Sequence, residues 1–195
     1  MTAINNYESL SIDEFHSIIK PVDRPIRSIN YGFLYLENWL KGEEENIQHG
    51  IDLNPDFQRG HVWAEHQQVH FVENVLRRLV GNDGLTIRMN CPSWREKPKS
   101  DSDLLDQMVC IDGLQRLTAI RKFIAGEIKP FGLSFSTLPK RVLLREHTLI
   151  IQMYDFQYRK DLLQFYLDIN GGGTAHSVEE LDRVRGLLNK VLSHE

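Results

Sequence analysis

Apolar positions recur along this chain with helical spacing in some segments and as short unbroken runs in others. One helix is predicted from about Ala64 to Leu79, where Val69, Val72, Leu76 and Leu79 share a face. A second spans Leu114–Ala125, with Leu114, Leu117, Ile120 and Ile124 on its buried side and Gly126 as its stop signal. Val178, Leu181, Leu188 and Val191 mark a third. It opens at Ser177-Val178-Glu179-Glu180, a capping box with Ser177 as N-cap and Glu180 at N3. Shorter helices are expected within Met1–Lys20, over Gly32–Leu40 and over Lys160–Leu167. Strands are expected at Ile51–Leu53, Leu85–Met89, Met108–Ile111 and Thr148–Tyr154. Between them Pro21–Pro25 reads as a breaker, Lys41–Gly50 as a charged loop and Gly81–Gly84 as a turn. Pro92–Asp103 reads as a mobile polar loop and Asn170–Thr174 as a glycine loop. Helices and short strands interleave without a regular βαβ rhythm, which predicts an α+β or mixed fold.

Composition narrows the class. With 195 residues, 41% of them hydrophobic, the chain can build a core of its own. The longest apolar run, Tyr31–Leu36, falls far short of the roughly 20 residues that cross a bilayer. The amino terminus has no basic cluster followed by an apolar stretch, so no signal peptide is expected. Two cysteines, Cys91 and Cys110, are too few for a disulfide framework or a four-cysteine zinc site. A reduced, cytoplasmic protein with core-lining thiols is the expectation. The net charge of −4 argues against a general nucleic-acid coat. Acidic residues concentrate before Phe57, including Glu43–Glu45, so a local basic site remains allowed further on.

Three segments carry candidate chemistry. In Ile111-Asp112-Gly113-Leu114-Gln115-Arg116, a strand turns into a helix whose N-terminus attracts anions. Gly113 lets backbone approach a phosphate, Arg116 adds a clamp, Gln115 can orient a water or a base edge, and Asp112 can hold a metal or act as a base. The plainer alternative makes Asp112 an N-cap and leaves Gln115 and Arg116 solvated. In Pro55-Asp56-Phe57-Gln58-Arg59, leading to Val62-Trp63, Arg59 is a second phosphate contact or a surface residue beside core aromatics. Asn170-Gly171-Gly172-Gly173-Thr174 is a phosphate nest or a linker. It is no Walker A loop, and no GxGxxG fingerprint occurs. His66 and His70 share a helical face without a third metal ligand in view and read as surface residues.

Taken in order, the three segments resemble the DGQQR-motif domain, the amino-terminal domain of GmrSD-type modification-dependent restriction systems, within the ParB/sulfiredoxin-like superfamily. Pro55, Phe57, Gln58, Arg59, Val62 and Trp63 match its first motif. Asp112, Gly113, Gln115, Arg116, Leu117 and Thr118 match the signature, and Asn170, Gly173 and Ser177 a later motif. Leu114 stands where the signature has its first glutamine, His176 where a leucine is usual, and Gly60 and His61 where a Pro-aromatic pair is common. The resemblance implies a small sheet surrounded by helices over residues 51–195, with residues 1–50 as a helical extension packed on it. It further implies nucleotide binding or hydrolysis. Asp112 would be metal-linked or a base, Gln115 would position water, and Arg116 and Arg59 would clamp phosphates. Gln58 and Asn170 would complete the pocket, Gly113 and Gly173 would supply amides, and Mg²⁺ would be the partner ion.

Because the chain stops at Glu195, with no room for the usual HNH-type nuclease domain, the expected function is that of a stand-alone nucleotide-binding domain. It would be a slow NTPase linked to sensing of DNA modification, phage defence or its evasion. Its expected partners are a nucleoside triphosphate, DNA and a protein supplying nuclease function. The alternatives are a DNA-binding or DNA-cleaving protein using the same pocket, and a catalytically silent interaction or inhibitor module.

Overall fold

The computed structural model describes residues 10–58, 60, 62–139, 147–171 and 178–193. Among these, five strands form one mixed sheet in the order β1-β5-β3-β4-β2. The strands are β1 (Arg27–Gly32), β2 (Ile51–Asp52), β3 (Thr86–Asn90), β4 (Met108–Asp112) and β5 (Thr148–Tyr154). The β1/β5 and β3/β4 pairs run antiparallel; β3/β5 and β2/β4 run parallel. Helices α1 (Ile12–Ile19), α2 (Phe33–Asn46), α3 (Glu65–Leu76), α4 (Asn82–Leu85), α5 (Leu114–Ala125), α6 (Arg159–Asn170) and α7 (Val178–Leu192) accompany it. The protein is α+β, with helices on both faces of the sheet.

Strand periodicity explains the layers, because alternate side chains point to opposite faces. Ile87, Met89, Met108, Cys110, Leu149, Ile151 and Met153 leave one face. They pack against Phe33, Leu36, Trp39 and Leu40 of α2, Val72 and Val75 of α3, and Leu117, Ile120 and Phe123 of α5. On the other face Ile111 and Tyr154 join Phe57, Leu162, Leu163, Phe165 and Tyr166 with Val184 and Leu188 of α7. Both cysteines are buried free thiols.

Several elements depart from the expected pattern. β1 occupies a stretch between the Pro21–Pro25 breaker and the helix expected from Gly32, where no element was expected; Ile29 and Tyr31 alternate with polar residues, as an edge strand allows. Helix α2 runs on through the charged segment to Asn46, because glutamate and lysine are good helix formers with a solvated face. Gly81–Gly84 lies largely in the short helix α4 rather than a plain turn. Helix α3 ends at Leu76, and Leu79, expected on its buried face, is 61% exposed beyond the left-handed Arg78. Two 3-10 turns, Pro130–Gly132 and Phe135–Thr137, were not expected. The Pro92–Asp103 loop is pinned by bonds from Lys99 N to Gln157 Oε1 and from Gln157 Nε2 to the Pro92 carbonyl. Helix α1 buries none of its residues. The Ser177 capping box lies outside the described residues.

Candidate functional site

The site forms where β4 hands over to α5. Arg88 pairs with Asp112 across the sheet while Met89 pairs with Cys110, so a bulge leaves Ile111 without a cross-strand partner. A bulge re-aims the side chains beside it; here it sets Asp112 against Arg88. Gly113 then takes a left-handed conformation, φ 103° and ψ 7°, which glycine adopts freely. It also lies hard against the sheet: a Cβ would sit 2.6 Å from Ile87 Cδ1 and 3.2 Å from the Thr86 carbonyl oxygen. Gly113, not Asp112, is the N-cap residue of α5, and no side chain caps that N-terminus.

Asp112 Oδ2 accepts hydrogen bonds from two guanidinium groups, Arg88 Nη1 at 2.8 Å and Arg116 Nη2 at 2.7 Å. Arg116 Nη1 also donates to the Asp83 carbonyl at 2.6 Å. The three side chains are about one-fifth exposed: 21% for Arg88, 22% for Asp112 and 18% for Arg116. Burial pushes the Tyr154 phenol above its ordinary value, and the charge of nearby Arg88 partly offsets the rise.

The two glutamines act on backbone. Gln58 Nε2 donates to the carbonyls of Cys110 at 3.0 Å and Ile111 at 2.7 Å, holding the bulge. Gln115 Oε1 accepts from Val62 N at 2.9 Å and Trp63 N at 3.0 Å, and its Nε2 donates to the Gly60 carbonyl at 2.6 Å. The first motif and the signature are thereby stitched into one unit. Arg183 of α7 secures the same segment from outside by donating to the carbonyls of Asp56, Phe57 and Gln58. Arg159 holds Asp56 at 2.6 Å.

Asp112, Arg116, Gly113, Gln58 and Gln115 therefore meet around the β4–α5 turn. Asn170 ends α6, where it is buried and donates to the Tyr166 carbonyl of its own helix at 2.8 Å. Arg59 and Gly173 lie outside the described residues. Leu114, at the variant position of the signature, is 7% exposed and belongs to the first core. Sequence reasoning did not single out Arg88 or Arg183. For Arg88 a signal existed, since an arginine stands in the middle of the otherwise uncharged strand Thr86–Asn90.

The donor set fits a magnesium ion poorly. Asp112 Oδ2 already accepts from two guanidiniums, so a cation placed on it would meet two positive charges at hydrogen-bond range. The pair of guanidiniums carries more charge than the one carboxylate between them, which suits an anion.

A family model for the N-terminal domain of the GmrSD restriction endonuclease matches residues 36–185. The chain belongs to this family, which points to a role in restriction or phage defence. The matched region runs from α2 into α7 and holds all three motifs. No curated protein and no solved structure gives a significant match. Among the described residues, no helix is long and apolar enough to cross a membrane.

Proposed function

We propose that this domain binds a nucleoside triphosphate through its phosphates at the β4–α5 turn and serves as the nucleotide-responsive part of a system that senses DNA modification. The observation that carries this reading is the convergence of Arg116 and Arg88 beside the uncapped N-terminus of α5. Free N–H groups and the helix dipole favour an anion there, and planar guanidiniums bind phosphate oxygens in pairs. Gly113, Gln58 and Gln115 hold the turn rigid, so little ordering accompanies binding. Turnover is expected to be slow. Gln115 is engaged at both ends with Gly60, Val62 and Trp63, and Asp112 with two arginines, so neither is free to activate water.

The test is calorimetric titration with ATP, GTP and CTP, followed by phosphate-release kinetics on whichever binds. Arg116→Ala is expected to weaken binding about tenfold or more while the protein still folds. Equal binding by wild type and variant would overturn the reading.

A further inference from the structure

Asp112 fills the position between Arg88 and Arg116 that a bound phosphate would take. We infer that Arg88 is the second cation of a metal-independent phosphate site, and that Asp112 is its built-in counter-anion, displaced from the arginines when a phosphate arrives. The inference rests on the nucleotide reading above and adds to it a residue, an order of events and a charge type.

Four observations support it. Both guanidiniums converge on a single oxygen, Asp112 Oδ2, at 2.8 and 2.7 Å, so their donors already point at one place. Arg116 has an independent anchor, since its Nη1 donates to the Asp83 carbonyl, and Arg88 stands beside the buried Tyr154 phenol. Arg116 therefore stays held when the carboxylate moves away. The bulge at Ile111, rather than regular pairing, brings Asp112 to Arg88. Partial exposure of all three side chains leaves the cluster open to a ligand.

The charge balance sets the direction of exchange. Two guanidiniums face one carboxylate, so the cluster carries an excess positive charge before any ligand binds. A terminal phosphate brings more negative charge than a carboxylate and offers three oxygens, enough to serve both forks at once. A carboxylate held this way is a poor magnesium ligand, because a cation entering there would face two arginines at close range.

The experiment is titration in EDTA with pyrophosphate and with ATP, GTP and CTP, using wild type, Asp112→Asn, Arg88→Gln, Arg88→Lys and Arg116→Ala. Wild type is expected to bind without metal. Asp112→Asn, which keeps the shape and removes the competing charge, should bind about threefold tighter or more. Arg88→Gln should bind about tenfold weaker, and Arg88→Lys should lie between them. Weaker binding by Asp112→Asn, or binding that appears only when Mg²⁺ is added, would overturn the inference. So would Arg88→Gln at wild-type affinity; if Arg116→Ala still lost binding, the nucleotide reading would survive that result. Absence of binding by wild type and every variant, in EDTA and with Mg²⁺ added, would remove the reading and the inference together. Thermal melts accompany each variant. Should Asp112→Asn not fold, the comparison of Arg88→Gln with Arg88→Lys decides, since a purely structural ion pair would change the melting point without a graded effect on phosphate affinity.

Discussion

A single methyl group at residue 113 would collide with the sheet. Gly113 combines a positive φ with a neighbour 2.6 Å from where Cβ would stand. Gly126, at the other end of α5, also has a positive φ, yet nothing lies within 4 Å of its Cβ position. Gly126→Ala should therefore cost about 1 kcal/mol of backbone strain, and Gly113→Ala about 2 kcal/mol or more. Urea denaturation of the two variants measures the difference, and equal losses would mean the sheet yields to the added carbon. At this scale the sequence reading named residues that the fold brings together, but not the bonds they make. Gln58 and Gln115 were legible as motif residues, but their bonds go to backbone carbonyls and amides that no side-chain spacing reveals. Asp112 was legible as charged and adjacent to a helix; the bulge that turns it to Arg88 depends on the register of two strands distant in sequence.

Elements were read best where pattern and boundary signals agree. Leu114–Ala125 has an amphipathic face followed by Gly126, and Thr148–Tyr154 is apolar or β-branched at every position but Gln152; both form with the expected ends. β1 escaped because an edge strand with a half-solvated face needs little hydrophobic content. Helix α7 does more than cover the second core: its Arg183 holds three consecutive carbonyls of the first motif. Arg183→Met keeps much of the side-chain length and removes the donors. The variant should lose about 1 kcal/mol of stability, since the arginine is exposed. Hydrogen exchange should quicken at the Gln58 amide, bonded to the Pro55 carbonyl, while β5 amides keep their protection. Unchanged exchange at Gln58 would show that Arg159 and the glutamines suffice to hold the segment.

For the molecule as a whole, one sheet divides two cores, and the two thiols sit deep in the first. Burial pushes both Cys91 and Cys110 above the ordinary thiol range, Cys110 furthest. A raised thiol value in the fold means the thiolate forms only in the unfolded chain. Stability should hold below the ordinary thiol value, near pH 8.5, and decline as pH rises beyond it. At pH 8 neither thiol should react with an aromatic disulfide reagent until denaturant unfolds the chain, and both should then react together. Labelling of one thiol under native conditions would reveal an opening of part of the core. The place of β5 in the sheet also has a consequence for the chain as it is made. β5 lies between β1 and β3, yet both of those strands leave the ribosome before it. Roughly 115 residues separate the end of β1 from the start of β5, on the order of ten seconds of synthesis. β1 waits through that whole interval and β3 from Asn90 onward, each with an unsatisfied edge, so the newborn chain is most vulnerable to mispairing just before β5 arrives.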